Sequence, residues 1–388
     1  MELSRHLRRM RALCAIIALA NVFFLAVLAE HTEAHTPVTS KYDYNRDVFP
    51  LLREHCAGCH FEGGPAPMSL TTYKSAAPWA ESIREELTKG RMPPWPVDPA
   101  SPPVKGGHPI RSRDIDVIVV WAAGGVPEGN SDAKLPEVTF KPQWKLGAPD
   151  LKIRMDGEHT VPASLDEEYY ECSLATNFSD TKWIKAADLM PETPSIVRDA
   201  IIRVENGPVL ALWQPGGDAT AAPQGAAFRL PPGSKIHLQL HYKKHFDQQG
   251  TISDRSTIGF YFTDPPPSGR ELQSFAVVPA KITAPGGPST FTSTLPSAAR
   301  IVALRPMLDR GYQLVNIEAI TPSGAVVPLL RLRDPRPQWL QRYWLTEPIE
   351  LAAGSKITVQ VAPLSDYSDE PKVTRQAPLE VVLDYVAL

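Results

Sequence analysis

The chain has 388 residues, of which 43% are hydrophobic and 21% charged, and its formal net charge is −3. A chain of this length can bury two or three ordinary cores, which excludes a small disulfide-held scaffold, and the slightly acidic balance gives no indication of a nucleic-acid partner. The 40 Pro and 24 Gly residues stay below the share typical of low-complexity chains and indicate loops in a folded, β-rich protein.

The N-terminal segment, residues 1–29, has the pattern of an export signal. Four arginines lie within the first eleven residues, and an apolar run of 18 residues, broken only by Asn21, follows over residues 12–29. This pattern predicts a cleaved signal peptide, with a retained membrane anchor as the alternative because the run reaches the lower limit for a spanning helix. Cleavage would change the net charge from −3 to −6, since four Arg and one Glu are removed. We expect the protein in the periplasm or on the outer face of the cytoplasmic membrane of a bacterium.

Residues 40–130 show helical periodicity and predict a small all-α domain with three short helices. The third helix would begin after Ser112, a good N-cap, and end at Gly124. The inward positions of the three helices are Val48, Leu51 and Leu52 in the first, Trp79, Ile83 and Leu87 in the second, and Ile115, Ile118, Val119 and Ala122 in the third.

A haem-attachment motif follows the first predicted helix. Cys56 and Cys59 are three positions apart, the spacing at which two thiols add to the two haem vinyl groups, and His60 follows as the proximal iron ligand. The alternatives are a chance match or half of a zinc site, but no second Cys/His pair completes a zinc tetrahedron. The sequence therefore predicts one covalent haem c, and residues 40–130 as a cytochrome c domain.

The opposite face of the iron needs a second ligand if the haem only transfers electrons, and a methionine there raises the reduction potential. Met92 is the leading candidate, because the two prolines that follow it stiffen its loop. Met68 is the alternative, although it is expected to pack near the haem as a core residue. His55 and His108 are further candidates, expected to be a solvated helix-end residue and a loop residue.

From about residue 143 onward, short alternating runs separated by Pro, Gly, Asp and Ser predict β-structure. Predicted strands include residues 235–242, 257–262 and 356–361. About 245 residues suit two sandwiches better than one, with the Pro-rich stretch 263–269 as the seam. The predicted domains are therefore 143–265 and 270–388.

Several segments of this β region carry a resemblance to a known family. They are residues 144–151, 160–162, 229–233, 238–242 and 254–259. They resemble the bacterial relatives of the copper type II, ascorbate-dependent monooxygenases, the group that includes peptidylglycine hydroxylating monooxygenase. In those relatives a haem domain with an Arg-Met-Pro-Pro-Trp segment often precedes the β region, and residues 44–127 match it. The resemblance implies a small all-α cytochrome c domain followed by two jelly-roll-like antiparallel β-sandwich domains.

The resemblance also implies where copper would bind. The family holds one copper with three histidines and the other with two histidines and a methionine. The paired histidines fall on Arg198 and Asp199, the third on His241, the His-Met-His segment around Met307, and the last methionine near residues 375–378. Five of these six positions lack a copper ligand, and His241 alone is kept. We therefore expect no copper, and His241 as a ligand position that is empty.

Neighbouring histidines offer an alternative copper or zinc site. His237, His241 and His245 share one face of a strand, but positions four apart are separated by roughly 13 Å, too far to share an ion unless the chain turns. Arg198 and Asp199 could instead form an internal ion pair that fills the vacated position.

The sequence favours an electron carrier over an enzyme. The haem would transfer one electron, and the β region would dock it to redox protein partners, such as a respiratory or photosynthetic membrane complex. One alternative is a copper-dependent monooxygenase fed with electrons by its haem. The other is a non-catalytic module that binds a ligand or partner in the emptied cleft.

Overall fold

The structure of the protein is a computed structural model, which describes residues 39–94, 96–106, 109–138, 143–217, 219, 221–266, 271–280, 288–364 and 378–388. The predicted signal or anchor, residues 1–29, and His108 lie outside these ranges. In the described part of the chain, no helix has the length and apolar character needed to cross a membrane.

The helices occupy the N-terminal third of the described chain. After a π-helical turn at Tyr44–Val48 they are α1 (Phe49–His55), α2 (Tyr73–Ala76), a 3-10 turn (Ala77–Trp79), α3 (Ala80–Thr88) and α4 (Ser112–Ala123). The predicted inward residues Val48, Leu52, Ile83, Leu87 and Ile118 are buried. The predicted cap at Ser112 is wrong by one position, since Ser112 is the first helical residue and the preceding residue makes no side-chain cap bond. The helical periodicity therefore placed the helices but not the cap.

The rest of the described chain is antiparallel β-structure. The strands are β1 (Leu151–Arg154), β2 (His159–Val161), β3 (Glu167–Ala175), β4 (Lys182–Met190), β5 (Val197–Val204), β6 (Val209–Trp213), β7 (Phe228–Leu230), β8 (Lys235–Lys243), β9 (Ile252–Asp254), β10 (Thr257–Phe262), β11 (Gln273–Val277), β12 (Ser289–Thr294), β13 (Ala299–Met307), β14 (Tyr312–Ile320), β15 (Val326–Arg333), β16 (Tyr343–Leu351), β17 (Lys356–Pro363) and β18 (Glu380–Ala387). The three strands predicted by alternation correspond to β8, β10 and β17, which confirms them.

The strands of the described ranges form five sheets. Four sheets have four strands, in the orders β1-β10-β4-β7, β3-β8-β5-β6, β11-β18-β13-β16 and β12-β17-β14-β15, and β2 pairs with β9. The first hydrophobic core lies between the first two of these sheets, and the second core between the last two. Residues on the other face of the β11-β18-β13-β16 sheet, including Val302 and Trp344, also belong to the first core. That sheet is thus buried on both faces, which explains the near-continuous apolar run of β13.

The predicted fold class is wrong, because the helices do not form a separate all-α domain. Strands hold 39% of the described residues and helices 13%. Residues 96–106, inside the predicted cytochrome domain, run along the β-structure: Val97 bridges to Leu332 of β15 and Val104 to Leu345 of β16. Both strands lie at the edges of their sheets, and the segment covers their exposed backbone groups.

Ion pairs hold this segment in place. Asp98 is 3% exposed and accepts hydrogen bonds from the guanidinium groups of Arg331, at 3.1 Å, and Arg333. Its pKa is lowered, chiefly by the bond from the Ala100 backbone N–H and then by the two arginines, against the effect of burial. These contacts attach part of the predicted helical domain to the β-structure, in agreement with the absence of a separate all-α domain.

Candidate functional site

The candidate site is a cavity of about 340 Å³ between the helical segment and the β-sheets. On the helical side its wall contains Cys56, Cys59, His60, Met68 and Met92, which are the predicted haem-site residues. Most of the remaining helical wall is apolar, contributed by prolines and aliphatic side chains. The structure thus brings together five residues spread over 37 positions of the sequence.

The two cysteines lie in a tight turn that follows α1. The backbone N–H groups of Cys59 and His60 both donate to the Cys56 carbonyl oxygen, at 3.1 and 3.0 Å. Burial raises the pKa of the Cys56 thiol to about 12 and that of the Cys59 thiol to about 11. In a haem-bound protein these two sulfurs would be thioethers. A thioether carries no charge, so burying it has little cost.

A loop from the β region closes over Cys59. The Cys59 sulfur lies 3.3 Å from the Pro215 carbonyl oxygen, and a Cβ added to Gly216 would lie 2.7 Å from that sulfur. Gly216 also has a φ of +68°, so both its backbone conformation and its close approach require glycine. This loop follows β6, and nothing in the sequence indicated that it contacts the motif.

His60 is oriented as an iron ligand would be. Its Nδ1 lies 3.2 Å from the Met68 carbonyl oxygen, so the tautomer that satisfies this contact carries the proton on Nδ1 and leaves the Nε2 lone pair free. Burial lowers the pKa of His60, despite the hydrogen bond to Met68, which favours the neutral ring that coordinates a metal. The donor set and the apolar cavity therefore fit a haem bound through Cys56, Cys59 and His60.

The loop that carries Met92 is attached to the end of α3. The backbone N–H groups of Arg91 and Met92 donate to the Glu86 carbonyl oxygen at 2.9 and 3.4 Å. The Arg91 side chain also donates to both carboxylate oxygens of Glu86, which fixes the loop against the helix. The contacts of Arg91 and Met92 with Glu86 therefore hold Met92 at the cavity wall.

His55 is not the solvated residue that the sequence predicts. Its side chain is 8% exposed, it lines the cavity, and its Nδ1 has no hydrogen-bond partner among the described residues. The prediction failed because a helix end is usually solvated, whereas here the His55 side chain turns into the cavity wall.

The opposite wall of the cavity comes from β3, β5 and β8. It carries Glu167, Arg198, His241 and Lys243. Sequence reasoning identified Arg198 and His241 but missed Glu167 and Lys243. The β3–β8 register pairs Glu167 with Lys243, and two residues further along the same face it pairs Tyr169 with His241. The sequence could have placed Lys243 on the same strand face as His241, since the two are two positions apart. It could not show that β3, which carries Glu167, is the neighbouring strand.

His241 lies between two carboxylates. Its Nδ1 is 2.8 Å from Asp199 Oδ2 and its Nε2 is 2.8 Å from Glu167 Oε1, while its ring stacks on Tyr169 with 4.4 Å between centroids. Burial alone would lower the pKa of His241, but the two carboxylates outweigh it and raise that pKa. Because both ring nitrogens face carboxylate oxygens at 2.8 Å, both act as donors, and neither has a lone pair for copper.

The other two histidines of the alternative metal site are not brought to His241. His237 contacts Glu171 at 3.3 Å, and His245 lies past the end of β8 with its Nε2 2.9 Å from the Pro65 carbonyl oxygen. Within the described ranges, no three His, Cys, Asp or Glu side chains are grouped to hold a metal ion. The last copper-ligand position implied by the resemblance was placed near residues 375–378, and residues 375–377 lie outside the described ranges.

We expect His241→Ala to cost about 3–5 kcal/mol of unfolding free energy, because it leaves Asp199, 1% exposed, and Glu167, 10% exposed, without their buried cation. The raised pKa of His241 contributes stability below its ordinary value of 6.5, and the lowered pKa of Glu167 contributes above its ordinary value of 4.5, so the difference from wild type should be largest between them.

Chemical denaturation at several pH values measures this difference. His237→Ala is the control, since its partner Glu171 is 53% exposed and its loss should cost no more than about 1 kcal/mol. Equal costs for the two variants would contradict a buried ion triad at His241.

Comparisons with known proteins give no family. No family model and no curated protein matches the sequence. Among solved structures, the chain is similar to an allantoicase (8% identity, TM-score 0.20, covering 57% of this chain and 78% of that one) and to the STIV MCP (8%, 0.26, 61% and 95%). It is also similar to the major capsid protein P2 from bacteriophage PM2 (9%, 0.26, 61% and 97%). These scores are too low to carry an argument about fold or function.

Proposed function

We propose that this protein is an exported c-type monohaem cytochrome that transfers one electron at a time. The observation that carries the proposal is the convergence of Cys56, Cys59 and His60 on one cavity, with the His60 Nδ1 bonded to a carbonyl oxygen. A haem bound there would supply reversible one-electron chemistry at its iron. The chain would supply two covalent attachments, an oriented imidazole and an enclosing wall.

The shape and chemistry of the cavity favour haem over a zinc ion at the same motif. A structural zinc needs four donors about 2.0–2.3 Å from one point, which encloses no free volume. A cavity of about 340 Å³ with a largely apolar helical wall instead suits a flat organic group that is mostly hydrophobic.

Met92 is proposed as the second axial ligand. The Met68 carbonyl oxygen contacts the outer nitrogen of His60, so the Met68 backbone lies on the proximal side of the ring. The Met68 side chain also packs with the helical core. Met92 reaches the cavity from a different loop and would supply a thioether to the iron from there.

The β region would then be the scaffold that encloses the haem and presents it to redox protein partners. The copper-dependent alternative is disfavoured because His241, the one retained ligand position of the resemblance, uses both ring nitrogens on carboxylates. A membrane complex is a suitable class of partner for an exported carrier.

Iron and copper per chain test the proposal. The protein is matured in a host that attaches haem, dialysed against copper and then against a weak chelator, and compared with the Cys56→Ala/Cys59→Ala variant. We expect one iron, covalently held haem and no retained copper in the wild type, and loss of covalent haem in the variant. Wild-type protein without covalent haem, or with one or two coppers per chain, would contradict the proposal.

A further inference from the structure

A partly buried arginine, Arg198, lines the cavity of the proposed haem from the β-sheet side. Arg198 is the extra residue of a bulge in β5, since Val197 pairs with Tyr242 and Asp199 pairs with His241, with no partner position between them. A bulge turns the side chain of its extra residue away from the regular alternation, and bulges of this kind occur beside functional sites. Here the bulge brings the Arg198 side chain to the cavity wall.

The charged residues near Arg198 pair with one another and not with Arg198. Glu167 accepts from His241 at 2.8 Å and from Lys243 at 3.0 Å, so these wall residues form ion pairs among themselves. No carboxylate in the described part of the chain lies within ion-pair distance of the Arg198 guanidinium, which donates from Nη1 to the Ser195 carbonyl oxygen at 2.9 Å.

The guanidinium is nevertheless charged. Burial lowers the pKa of Arg198 to about 10, partly offset by Glu167 and Cys59, so the group stays protonated at neutral pH. A guanidinium has five N–H donors in a planar fork that matches a carboxylate, and the Ser195 bond uses one of them. The remaining N–H donors of this partly buried guanidinium are available to bind an anion at the cavity wall.

We propose that Arg198 binds a propionate carboxylate of the haem carried by Cys56 and Cys59, so that the bulge in β5 forms part of the haem-binding site. The inference rests on the proposed function, because it requires haem at this motif. It gives the emptied copper position of the resemblance a role: the first of the two replaced histidines has become the anion-binding residue of the haem cavity.

The pH dependence of the reduction potential tests this role. In the wild type the cation keeps the propionate ionised, and the potential should vary little from roughly pH 5 to pH 8. In Arg198→Gln the propionate loses its partner in a buried setting and its pKa rises into this range. Because reduction favours proton uptake, the potential should then fall as the pH rises, and at high pH it should lie below that of the wild type.

The other titratable groups at the wall are the same in both proteins, so the difference between the two profiles reports Arg198. They are His55, His60, Glu86, Glu167, His241 and Lys243. Arg203→Gln is the matched control, since Arg203 is an exposed arginine of the same strand and its profile should follow the wild type. Arg198→Lys keeps the charge and should retain most of the flat profile, and it serves if Arg198→Gln does not fold.

Four results would count against the role of Arg198 or against the proposed function. Haem-bound Arg198→Gln with the wild-type profile would overturn the proposal while leaving the cytochrome function intact, and so would an Arg198→Lys profile as steep as that of the Gln variant. A saturable spectral change on adding acetate to the wild type, absent in Arg198→Gln, would assign Arg198 to a free anion and also overturn it. Absence of covalent haem from the wild type would remove the proposed function itself.

Discussion

In the proposed haem-bound protein, Met92→Ala is expected to remove one ligand of the iron and to lower the reduction potential. Axial-ligand identity spans about 0.8 V of potential across haem proteins, so losing a thioether should lower the potential by on the order of a tenth of a volt or more. The far-red absorption band that arises from methionine-to-iron charge transfer should disappear. Optical spectra and a redox titration of the two proteins measure both effects.

Met68→Leu is the matched control for this variant. Met68 packs against the helical core at the same cavity, and its replacement by leucine removes a thioether with little change in volume, without removing the proposed ligand. We expect the band to persist and the potential to change little. Loss of the band in Met68→Leu with retention in Met92→Ala would assign the ligand to Met68. A wild-type spectrum of two histidine ligands would point to His55.

Asp384→Ala is expected to destabilise the β region strongly. Asp384 is fully buried and accepts hydrogen bonds from Arg305 at 2.8 and 2.9 Å, from Arg342 at 2.9 Å and from Ser274 at 2.7 Å. Its removal leaves two guanidinium groups, whose side chains are each 5% exposed, without a counter-ion. We expect a loss of about 3–5 kcal/mol of unfolding free energy in chemical denaturation.

Asp384 matters beyond its own sheet because Arg342 links the two β regions. The same guanidinium donates to the carbonyl oxygens of Val209 and Leu210 in β6, the latter at 2.7 Å. Loss of the carboxylate should therefore also loosen the junction between the two cores. Glu350→Ala is the control, since the pair of Glu350 with Arg300 is exposed and should contribute no more than about 1 kcal/mol.

The same carboxylate predicts a pH dependence. Burial alone would raise the pKa of Asp384, but Arg342 and Arg305 outweigh it and lower that pKa below its ordinary value of 3.8. Its contribution is therefore complete above pH 3.8 and is lost as the pH falls through the lowered pKa. The stability difference between wild type and Asp384→Asn should shrink only in that acid range, and a difference that is already lost near neutral pH would contradict the assignment.

The sequence by itself determined the features that depend on neighbours along the chain. The haem motif needs only the spacing of Cys56, Cys59 and His60, and the burial of Ile83 and Leu87 follows from a helical repeat of four residues. The limits of β10 follow in the same way from alternating residues between turn signals.

Only the tertiary structure decided which of these local elements meet. Residues 96–106 read as a Pro-rich loop, yet Asp98 pairs with Arg331, 233 positions away, because two sheet edges needed covering. His55 became part of the cavity wall. Glu167 met His241 because β3 pairs with β8. Local patterns fix which face of an element is apolar, but the choice of partner for that face depends on long-range packing, which no short window of the sequence contains.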